Sequence, residues 1–525
     1  SMAKNKRYNR EAEILYGKLE TLAFMASFFA IDPPAKEIQK GWDCILLNQF
    51  HDILPGTAIE EVYKTTDEEY GKILTAGKQK LQTLTGLLAK AVATKPKAEK
   101  QNGVVVFNTM GYSRSDVVYV ALPKGMEDLV CLRDAAGNTV PVQHMPNGQA
   151  AFYAEGIPPL GSKTYWCVRG SSAERPQHSL PVVENKYYRA VVESDLTLSS
   201  LWEKQTGREL VAKGKRANRL LCFEDRPMNW DNWDIDLYYR KKRYEATRVT
   251  PYRVVSCGSV MTILENTLVF SNSVVHQQAV FYHDMPRIDF VHKVQWRQHN
   301  LLLKACFDTD IYAPRASFEI QFGNVERETT NNNSWDTAKF ETCAHKWADL
   351  SDHGCGLSLL NNCKYGHYIK DRRMELTLIK AGRYPNENAD IGGHEYTYSL
   401  YPHPGGWRNA DTVAQAYNLN VPAEAVFLEE AALGGGAGQK SWVQVNAPNC
   451  FIEGIKPAED GNGFVLRVYE NNNRQTKARF SFSVPLRSVQ ACNLLEETEY
   501  EIGLSQGEFE DVLKPYEIKS YRLLV

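Results

Sequence analysis

The sequence predicts a multidomain α+β protein, in which a three-helix bundle precedes two or three antiparallel β-sandwich domains. The first 94 residues carry apolar residues at helical spacing, and a polar segment at 93–103 ends that pattern. From there to residue 525, short apolar or alternating runs are separated by turn sequences. A chain of 525 residues is too long for one ordinary core, so several domains are expected.

Three helical runs make up the predicted bundle over residues 1–94. The first begins near Tyr8, repeats apolar or small residues at steps of four and three, and ends at Asp32 before two prolines. The second ends near Phe50, ahead of a Pro-Gly break. Thr57 followed by Glu60 predicts a capping box, which would begin a third helix of about 35 residues.

The β-rich part is predicted to form three units, a small β domain over 103–175, a large β-sandwich over 180–432 and a C-terminal β domain over 440–525. The glycine-rich segment LGGGAGQ, residues 433–439, marks the boundary before the last unit. It does not resemble a phosphate-binding loop, because no Lys-Ser/Thr pair follows at the required spacing.

The composition indicates which classes of binding partner and which cellular compartment fit this protein. The 61 basic residues nearly balance the 63 acidic ones, so neither nucleic acid nor a membrane is indicated as a partner. The longest apolar run, at 22–31, is too short to span a bilayer. Eleven scattered cysteines without a CxxC pair predict neither a disulfide framework nor a thiolate zinc site. A reducing compartment is favoured, and we expect a cytoplasmic protein.

The stretch LLNQFHDILPGTAIEEVY, residues 46–63, places His51 and Asp52 side by side where a helix should stop. A neutral imidazole is a good zinc ligand, and a neighbouring carboxylate can accept hydrogen bonds from a hydroxylated substrate. Alternatively, His51 stabilises the negative end of its helix and Asp52 caps the following turn. From the residues alone, this structural interpretation is the favoured one.

The segment EDRPMNWDNWDID, residues 224–236, combines five carboxylates with Trp230 and Trp233. Indole faces stack on sugar rings and carboxylates bind hydroxyl groups, so the composition suits carbohydrate binding. The same tryptophans could instead plug the edge of a sandwich while the acids face water. A further segment, residues 331–354, is rich in His, Asp and Cys, but without HxxxH or HExxH spacing it does not predict a metal site.

Several blocks of this sequence resemble the α-mannosidases of glycoside hydrolase family 38. The resemblance begins at LLNQFHDILPGTAIEEVY. It continues through NNNSWDTAKFETCAHKWADLSDHGCGLSLLNNCKYGHYIK and HEYTYSLYPH, which are similar to the intracellular, cytosolic-type branch. FIEGIKPAEDGNGFVLRVYEN and PYEIKSYRL resemble the closing β domain of the family. The resemblance also implies a galactose-mutarotase-like fold for residues 180–432.

What the resemblance implies is a zinc-dependent retaining exoglycosidase that releases terminal α-linked mannose from oligosaccharides. In the family, the histidine of the His-Asp pair is a zinc ligand and the aspartate contacts the sugar. These roles map to His51 and Asp52 and reverse the preference stated above. Trp230 and Trp233 are candidates for further substrate contacts, and the β region could also support a homo-oligomer.

The sequence departs from the family pattern in one important respect. The other zinc ligands and the aspartate nucleophile of the family lie in an N-terminal α/β barrel, which contains a His-x-Asp-x-Gly-Trp motif. None of the twelve histidines here is followed by that pattern. We therefore expect one zinc ligand and no catalytic residue in this chain, with the barrel as the partner that completes the site. The alternative is a non-catalytic carbohydrate-binding β-sandwich protein.

Overall fold

A computed structural model describes residues 2–93, 100–170, 180–432 and 438–525. Helices come first and antiparallel sheets follow, which confirms the predicted fold class. Most of the predicted boundary segments at 93–103 and 433–439 lie outside the described residues. Within the described ranges, no helix has the length and apolar character that crossing a membrane requires.

The bundle consists of α1 (Ala3–Ser27), α2 (Ala35–Asn48) and α3 (Glu60–Ala93). The predicted capping box at Thr57 is wrong, because α3 begins only at Glu60 and the Thr57 hydroxyl donates to the Asp52 carbonyl at 3.3 Å instead. The turn after α2 extends through residue 56, so the third helix begins later than the motif suggested.

The small β unit begins with six strands. They are β1 (Lys100–Asn108), β2 (Arg114–Ala121), β3 (Leu129–Arg133), β4 (Thr139–His144), β5 (Gln149–Ile157) and β6 (Gly161–Arg169). Their order in the sheet is β2-β5-β4-β3-β6-β1, and all neighbours are antiparallel.

The large β unit packs three antiparallel sheets around one core. Its strands are β7 (Val182–Glu184), β8 (Tyr188–Val192), β9 (Leu198–Glu203), β10 (Arg208–Glu209), β11 (Arg219–Glu224), β12 (Arg243–Tyr244), β13 (Arg248–Val249), β14 (Arg253–Cys257), β15 (Met261–Phe270), β16 (Ser273–Tyr282), β17 (Ile288–Trp296), β18 (Leu301–Asp308), β19 (Arg315–Ile320), β20 (Gly323–Glu328), β21 (Thr342–Cys343), β22 (Trp347–Ser351), β23 (Cys355–Asn361), β24 (Gly366–Lys370), β25 (Arg373–Lys380) and β26 (Gly392–Pro404). A 3-10 helix (Leu237–Lys241) and α4 (Ser334–Ala338) interrupt the strands.

The sheets of the large unit contain ten, six and four strands. The six-stranded sheet runs β12-β11-β18-β25-β24-β21 and forms part of the candidate site described below. Large buried side chains fill the space between the sheets, among them Trp296, Phe307 and Tyr398.

After β26, the chain passes through α5 (Thr412–Asn420) and returns to the small sheet. There β27 (Glu424–Ala432) pairs with β1, and β28 (Gln439–Ser441) pairs with β6. The predicted range 180–432 therefore includes a strand that belongs to the small sheet by its pairing.

The C-terminal unit is a sandwich of a three-stranded and a five-stranded sheet. Its strands are β29 (Val443–Val445), β30 (Cys450–Pro457), β31 (Phe464–Glu470), β32 (Thr476–Phe482), β33 (Ser488–Cys492), β34 (Thr498–Ile502), β35 (Glu508–Leu513) and β36 (Ile518–Leu524). This sandwich shares one hydrophobic core with the bundle, and the rings of Phe24 and Phe464 meet edge to face at 5.0 Å.

We expect Gly41→Ala to destabilise the protein by about 1–3 kcal/mol, because α1 and α2 approach each other too closely to admit a side chain there. A Cβ atom at Gly41 would lie 1.8 Å from the ring of the buried Tyr16. Gly71→Ala in α3 is the matched control, since nothing lies within 4 Å of its Cβ position. The control should be neutral or stabilising by up to about 1 kcal/mol. Urea denaturation followed by circular dichroism measures both, and equal midpoints would contradict the prediction.

Candidate functional site

The His51–Asp52 pair lies in a tight turn, residues 49–59, between α2 and α3. Helix α2 ends at Asn48, so His51 stands three residues beyond the helix and not within it. Successive main-chain hydrogen bonds continue the coil, including Ile53 N to Phe50 O at 2.9 Å and Gly56 N to Ile53 O at 3.1 Å. Gly56 has a φ of 92°, which a residue with a side chain rarely adopts, and it lets the chain leave the turn.

Side chains from two helices fix the carbonyl groups of this turn. Tyr63 in α3 donates its hydroxyl hydrogen to the Asp52 carbonyl at 3.1 Å and accepts a hydrogen bond from Ala58 N at 3.0 Å. From α1, the Asn5 amide donates to the Ile53 carbonyl at 2.7 Å and Lys6 Nζ donates to the Pro55 carbonyl at 2.8 Å. The turn is therefore held from both sides.

The side chains of the predicted pair point away from the bundle. His51 is 75% exposed and Asp52 is 48% exposed, with Nε2 and Oδ2 3.5 Å apart. The Phe50 ring lies 4.2 Å from the imidazole, centroid to centroid. The imidazole is thus open to an incoming ligand, and its orientation is limited by an aromatic neighbour.

Large apolar side chains close to His51 in the sequence are exposed. Leu46, Leu47, Phe50 and Ile59 are each more than half exposed, and Phe50 contacts the imidazole. Single exposed apolar residues are common, but four of them within fourteen residues are a feature of interaction surfaces. We call these four residues and His51 the α2 face.

The second predicted segment forms a surface loop, residues 225–236, here called the tryptophan loop. Trp230 and Trp233 are 57% and 60% exposed, and the Trp230 ring lies 5.2 Å from that of Tyr384. Asp231 does not face solvent as a free acid, because its carboxylate accepts hydrogen bonds from the main-chain nitrogens of Arg383 and Tyr384. Hydrogen bonds therefore anchor the loop, while the indoles of Trp230 and Trp233 remain accessible.

Residues 383–391, the bridging loop, connect the two predicted segments. Asn386 contacts both sides, since its carbonyl accepts from Asn232 at 3.3 Å and its amide lies 3.7 Å from Met2 Sδ. Ala389 is fully buried against Met2 and Tyr63. The structure thus brings the tryptophan loop and the turn to neighbouring positions around the beginning of α1.

Sequence reasoning missed the bridging loop. Asp390 accepts hydrogen bonds from Ala3 N at 2.7 Å and Lys4 N at 3.4 Å, which stabilises the beginning of α1. Asn388 donates to Glu60 at 3.3 Å, where α3 begins. Asn and Asp in a segment containing proline are typical of a turn, and nothing local identifies helices far away in the sequence as its partners.

The part of the chain that the structure describes contains no group of three or more His, Cys, Asp or Glu residues that could hold a metal ion. In the segment 331–354, Asp349 bonds to His403 at 2.9 Å and Asp352 pairs with Arg208 at 2.7 Å. Burial lowers the pKa of His345 to about 4, which keeps that ring neutral. By contrast, the accessible imidazole of His51 suits one position in a metal site that other residues would have to complete.

Models of known families match three parts of the chain. The "Alpha mannosidase middle domain" matches residues 1–88, which include the bundle and the turn. The "Glycosyl hydrolases family 38 C-terminal domain" matches residues 183–388. The "Glycosyl hydrolases family 38 C-terminal beta sandwich domain" matches residues 449–521. These matches follow one another in the same order as the structural units.

Curated relatives match over the whole chain. Alpha-mannosidase G of Dictyostelium discoideum is 30% identical, covering 100% of this chain and 51% of its own length. Alpha-mannosidase 2C1 of Mus musculus is also 30% identical, covering 100% of this chain and 49% of its own length. The chain therefore spans about half the length of the curated relatives it matches.

The fold itself has been seen in a solved structure. The crystal structure of an alpha-mannosidase from Enterococcus faecalis V583 superposes with a TM-score of 0.79 at 16% identity, over 99% of this chain and 67% of that one. That similarity concerns the fold alone. The ordered matches to the family models, and the relatives that align over the whole of this chain, show that the chain belongs to glycosyl hydrolase family 38 and carries its middle and C-terminal β domains.

Proposed function

We propose that this chain is the C-terminal part of a zinc-dependent retaining α-mannosidase, which hydrolyses terminal α-linked mannose from oligosaccharides. The observation that carries the proposal is the accessible imidazole of His51, which lies on a hydrogen-bonded turn that also carries exposed apolar side chains. A histidine that merely stabilised its helix end would not need either feature.

His51 would be one ligand of the zinc ion, and Asp52 would accept hydrogen bonds from substrate hydroxyl groups. A catalytic zinc site needs about three protein ligands, with a further position left open. When bound, zinc would polarise and orient oxygen atoms of the sugar. This chain's own contribution would be to hold the imidazole and the carboxylate in fixed positions through the hydrogen bonds of Tyr63, Asn5 and Lys6.

The remaining chemistry would come from the N-terminal α/β barrel of the family. Retaining hydrolysis requires two carboxyl groups roughly 5 Å apart, one as nucleophile and one as acid/base. Asp52 is the carboxyl group nearest to His51 in the sequence, and it cannot fill both roles. The α2 face supplies a reason for the barrel to bind here, since docking would cover its apolar side chains.

The proposed cellular location is the cytosol. All eleven cysteines are free thiols in the structure, which suits a reducing compartment. Apart from that support, the proposal rests on the family branch that the sequence resembles.

A second candidate function is carbohydrate binding without catalysis, favoured by the two exposed indoles of the tryptophan loop. The two functions differ in what the isolated chain can do. Micromolar to millimolar binding of mannose oligosaccharides by this chain alone, with no gain of hydrolysis on adding a barrel, would favour the second candidate.

The purified chain alone should release no nitrophenol from p-nitrophenyl α-mannoside and should hold no stoichiometric zinc. Adding a separately produced N-terminal barrel of the family should give hydrolysis that a chelator abolishes, because the metal site and the nucleophile are then complete. Nitrophenol absorbance and metal analysis by mass spectrometry measure the two quantities. Turnover by the chain alone, lost on chelation, would contradict the proposal.

A pair of variants distinguishes the loss of the proposed metal ligand from the loss of another exposed histidine. His51→Ala in the reconstituted enzyme should lower zinc affinity and kcat/KM by about 100-fold or more, since losing a ligand costs at least as much as losing its outer partner. His276→Ala removes another exposed ring, in β16, and should leave both unchanged. Full activity in His51→Ala would remove this residue from the site.

Tyr63→Phe should destabilise the chain by about 1 kcal/mol, because Ala58 N and the Asp52 carbonyl each lose a partner. Tyr70→Phe, also in α3, is the matched control: the Tyr70 hydroxyl is buried and has no hydrogen-bond partner among the described residues. Its removal should be neutral or stabilising. Thermal unfolding followed by circular dichroism compares the two, and equal shifts would show that Tyr63 does not hold the turn.

A further inference from the structure

A cavity of about 170 Å³ lies beside the beginning of α1. Its walls come from α1, the six-stranded sheet, the tryptophan loop and the bridging loop. The volume holds about six water molecules, which is enough for a tetrahedral oxyanion or part of a sugar ring. The acidic and basic residues of its wall are Lys6, Glu341, Lys364, Lys380 and Asp390.

Lys364 is the unusual member of this wall. It is only 4% exposed, and its Nζ donates to the Leu378 carbonyl at 2.6 Å and lies 4.2 Å from the centre of the Tyr396 ring. No carboxylate of the described residues lies within salt-bridge distance of it. A buried ammonium without a counter-ion is unfavourable, and burial accordingly lowers the pKa of Lys364.

The two acidic residues of the wall differ in how far their charge is balanced. Glu341 pairs with Lys304 and accepts a hydrogen bond from the Tyr239 hydroxyl at 2.5 Å. Asp390 accepts hydrogen bonds from the first main-chain nitrogens of α1, at 2.7 Å and 2.8 Å from Ala3 N, which leave its negative charge in place. That single charge favours the protonated forms of both Lys364 and Lys6, so it cannot balance the two lysines together.

The other lysines add positive charge to the same space. Lys380 pairs with the buried Asp225 behind the wall. Lys6 donates to the Pro55 carbonyl at 2.8 Å, and burial lowers its pKa to about 8, so that it is mainly protonated at neutral pH. The cavity therefore combines two lysine ammonium groups, Lys364 and Lys6, with the single carboxylate of Asp390, which leaves an excess of positive charge.

We propose that this cavity binds a small oxyanion of the phosphate class, with Lys364 as its principal charged contact. The Thr377 hydroxyl and the Trp233 indole, which also line the cavity, are hydrogen-bond donors available to phosphate oxygens. The ligand is either free inorganic phosphate or the phosphate group of a sugar monophosphate. The proposal does not depend on mannosidase activity, because every group that it uses belongs to this chain.

The test is a calorimetric titration of inorganic phosphate into the full 525-residue chain at neutral pH and low ionic strength. Wild-type protein should bind a single phosphate, and Lys364→Met should weaken binding about tenfold or more, as expected for losing a charged hydrogen bond. Lys163→Met is the matched control. Lys163 is also buried and donates to the Glu155 carbonyl at 2.8 Å, but it lies in the small β sheet, so phosphate affinity should not change.

A replacement variant and titrations of two further ligands distinguish the remaining outcomes. If Lys364→Met fails to fold by circular dichroism, Lys6→Met on the opposite wall takes its place and should weaken binding several-fold. Mannose 6-phosphate is titrated beside phosphate and mannose. Tighter binding of the sugar phosphate indicates a phosphorylated sugar as ligand, and equal affinity indicates free phosphate; both support the proposal. Absence of phosphate binding, unchanged affinity in the lysine variants, or binding of mannose without phosphate would overturn it.

Discussion

The burial of helix α1 is the constraint on which the arrangement of the whole chain depends. Its apolar residues pack on α2, α3 and the C-terminal sandwich within one core. Its polar residues are buried as well, and they reach other units: Arg10 donates to Asn420 at 2.9 Å and Lys18 pairs with Glu424 at 2.6 Å. Because buried polar groups need partners, these contacts fix the helix in rotation as well as in position. The bundle is therefore an internal part of the molecule and not an appended module.

A cluster of charges lies at this junction. Arg10 and Glu13 of α1 face Glu319 and Lys346 of the large β unit, and Glu453 of the C-terminal sandwich completes the group. Arg10 and Glu319 are buried, Glu13 and Lys346 are partly buried, and Glu453 is exposed. Three carboxylates share two cations here, so charges from three units interact at one place.

Local sequence signals were sufficient for the fold class and insufficient for the connections between units. Helical spacing located the three helices, since each buries one or more continuous faces. The pairing of β27 with β1 joins segments far apart in the sequence, and no local pattern indicates such a partner. The capping motif at Thr57 failed for a related reason, because Tyr63 and Asn5 hold the preceding turn by tertiary hydrogen bonds. Tertiary contacts there override the local preference.

For the candidate site residues too, the sequence predicts the type of chemistry, and only the structure shows the surroundings of each side chain. The residue types at His51 and Trp230 suggested binding chemistry, and the structure adds that both side chains are accessible and stand on either side of the bridging loop. Lys364 lies within a block that carried the family resemblance, yet nothing in its sequence neighbours predicts a buried lysine without a salt-bridge partner among the described residues. Whether a lysine is paired depends on what distant strands place around it, and sequence spacing does not report that.

The first turns of α1 link the two candidate binding regions by a physical connection. Lys6 extends from this helix to the Pro55 carbonyl of the turn that carries His51, and the same residue lines the cavity that contains Lys364. The two regions nevertheless differ in what stabilises their charged or polar group. Water solvates the exposed imidazole before a partner binds, whereas the buried ammonium of Lys364 has only the Leu378 carbonyl and the Tyr396 ring until a ligand enters the cavity. The beginning of α1 thus contacts both regions: the turn that carries His51, which the surface of another domain would complete, and the cavity that contains Lys364, whose positive charge a small anionic ligand would balance.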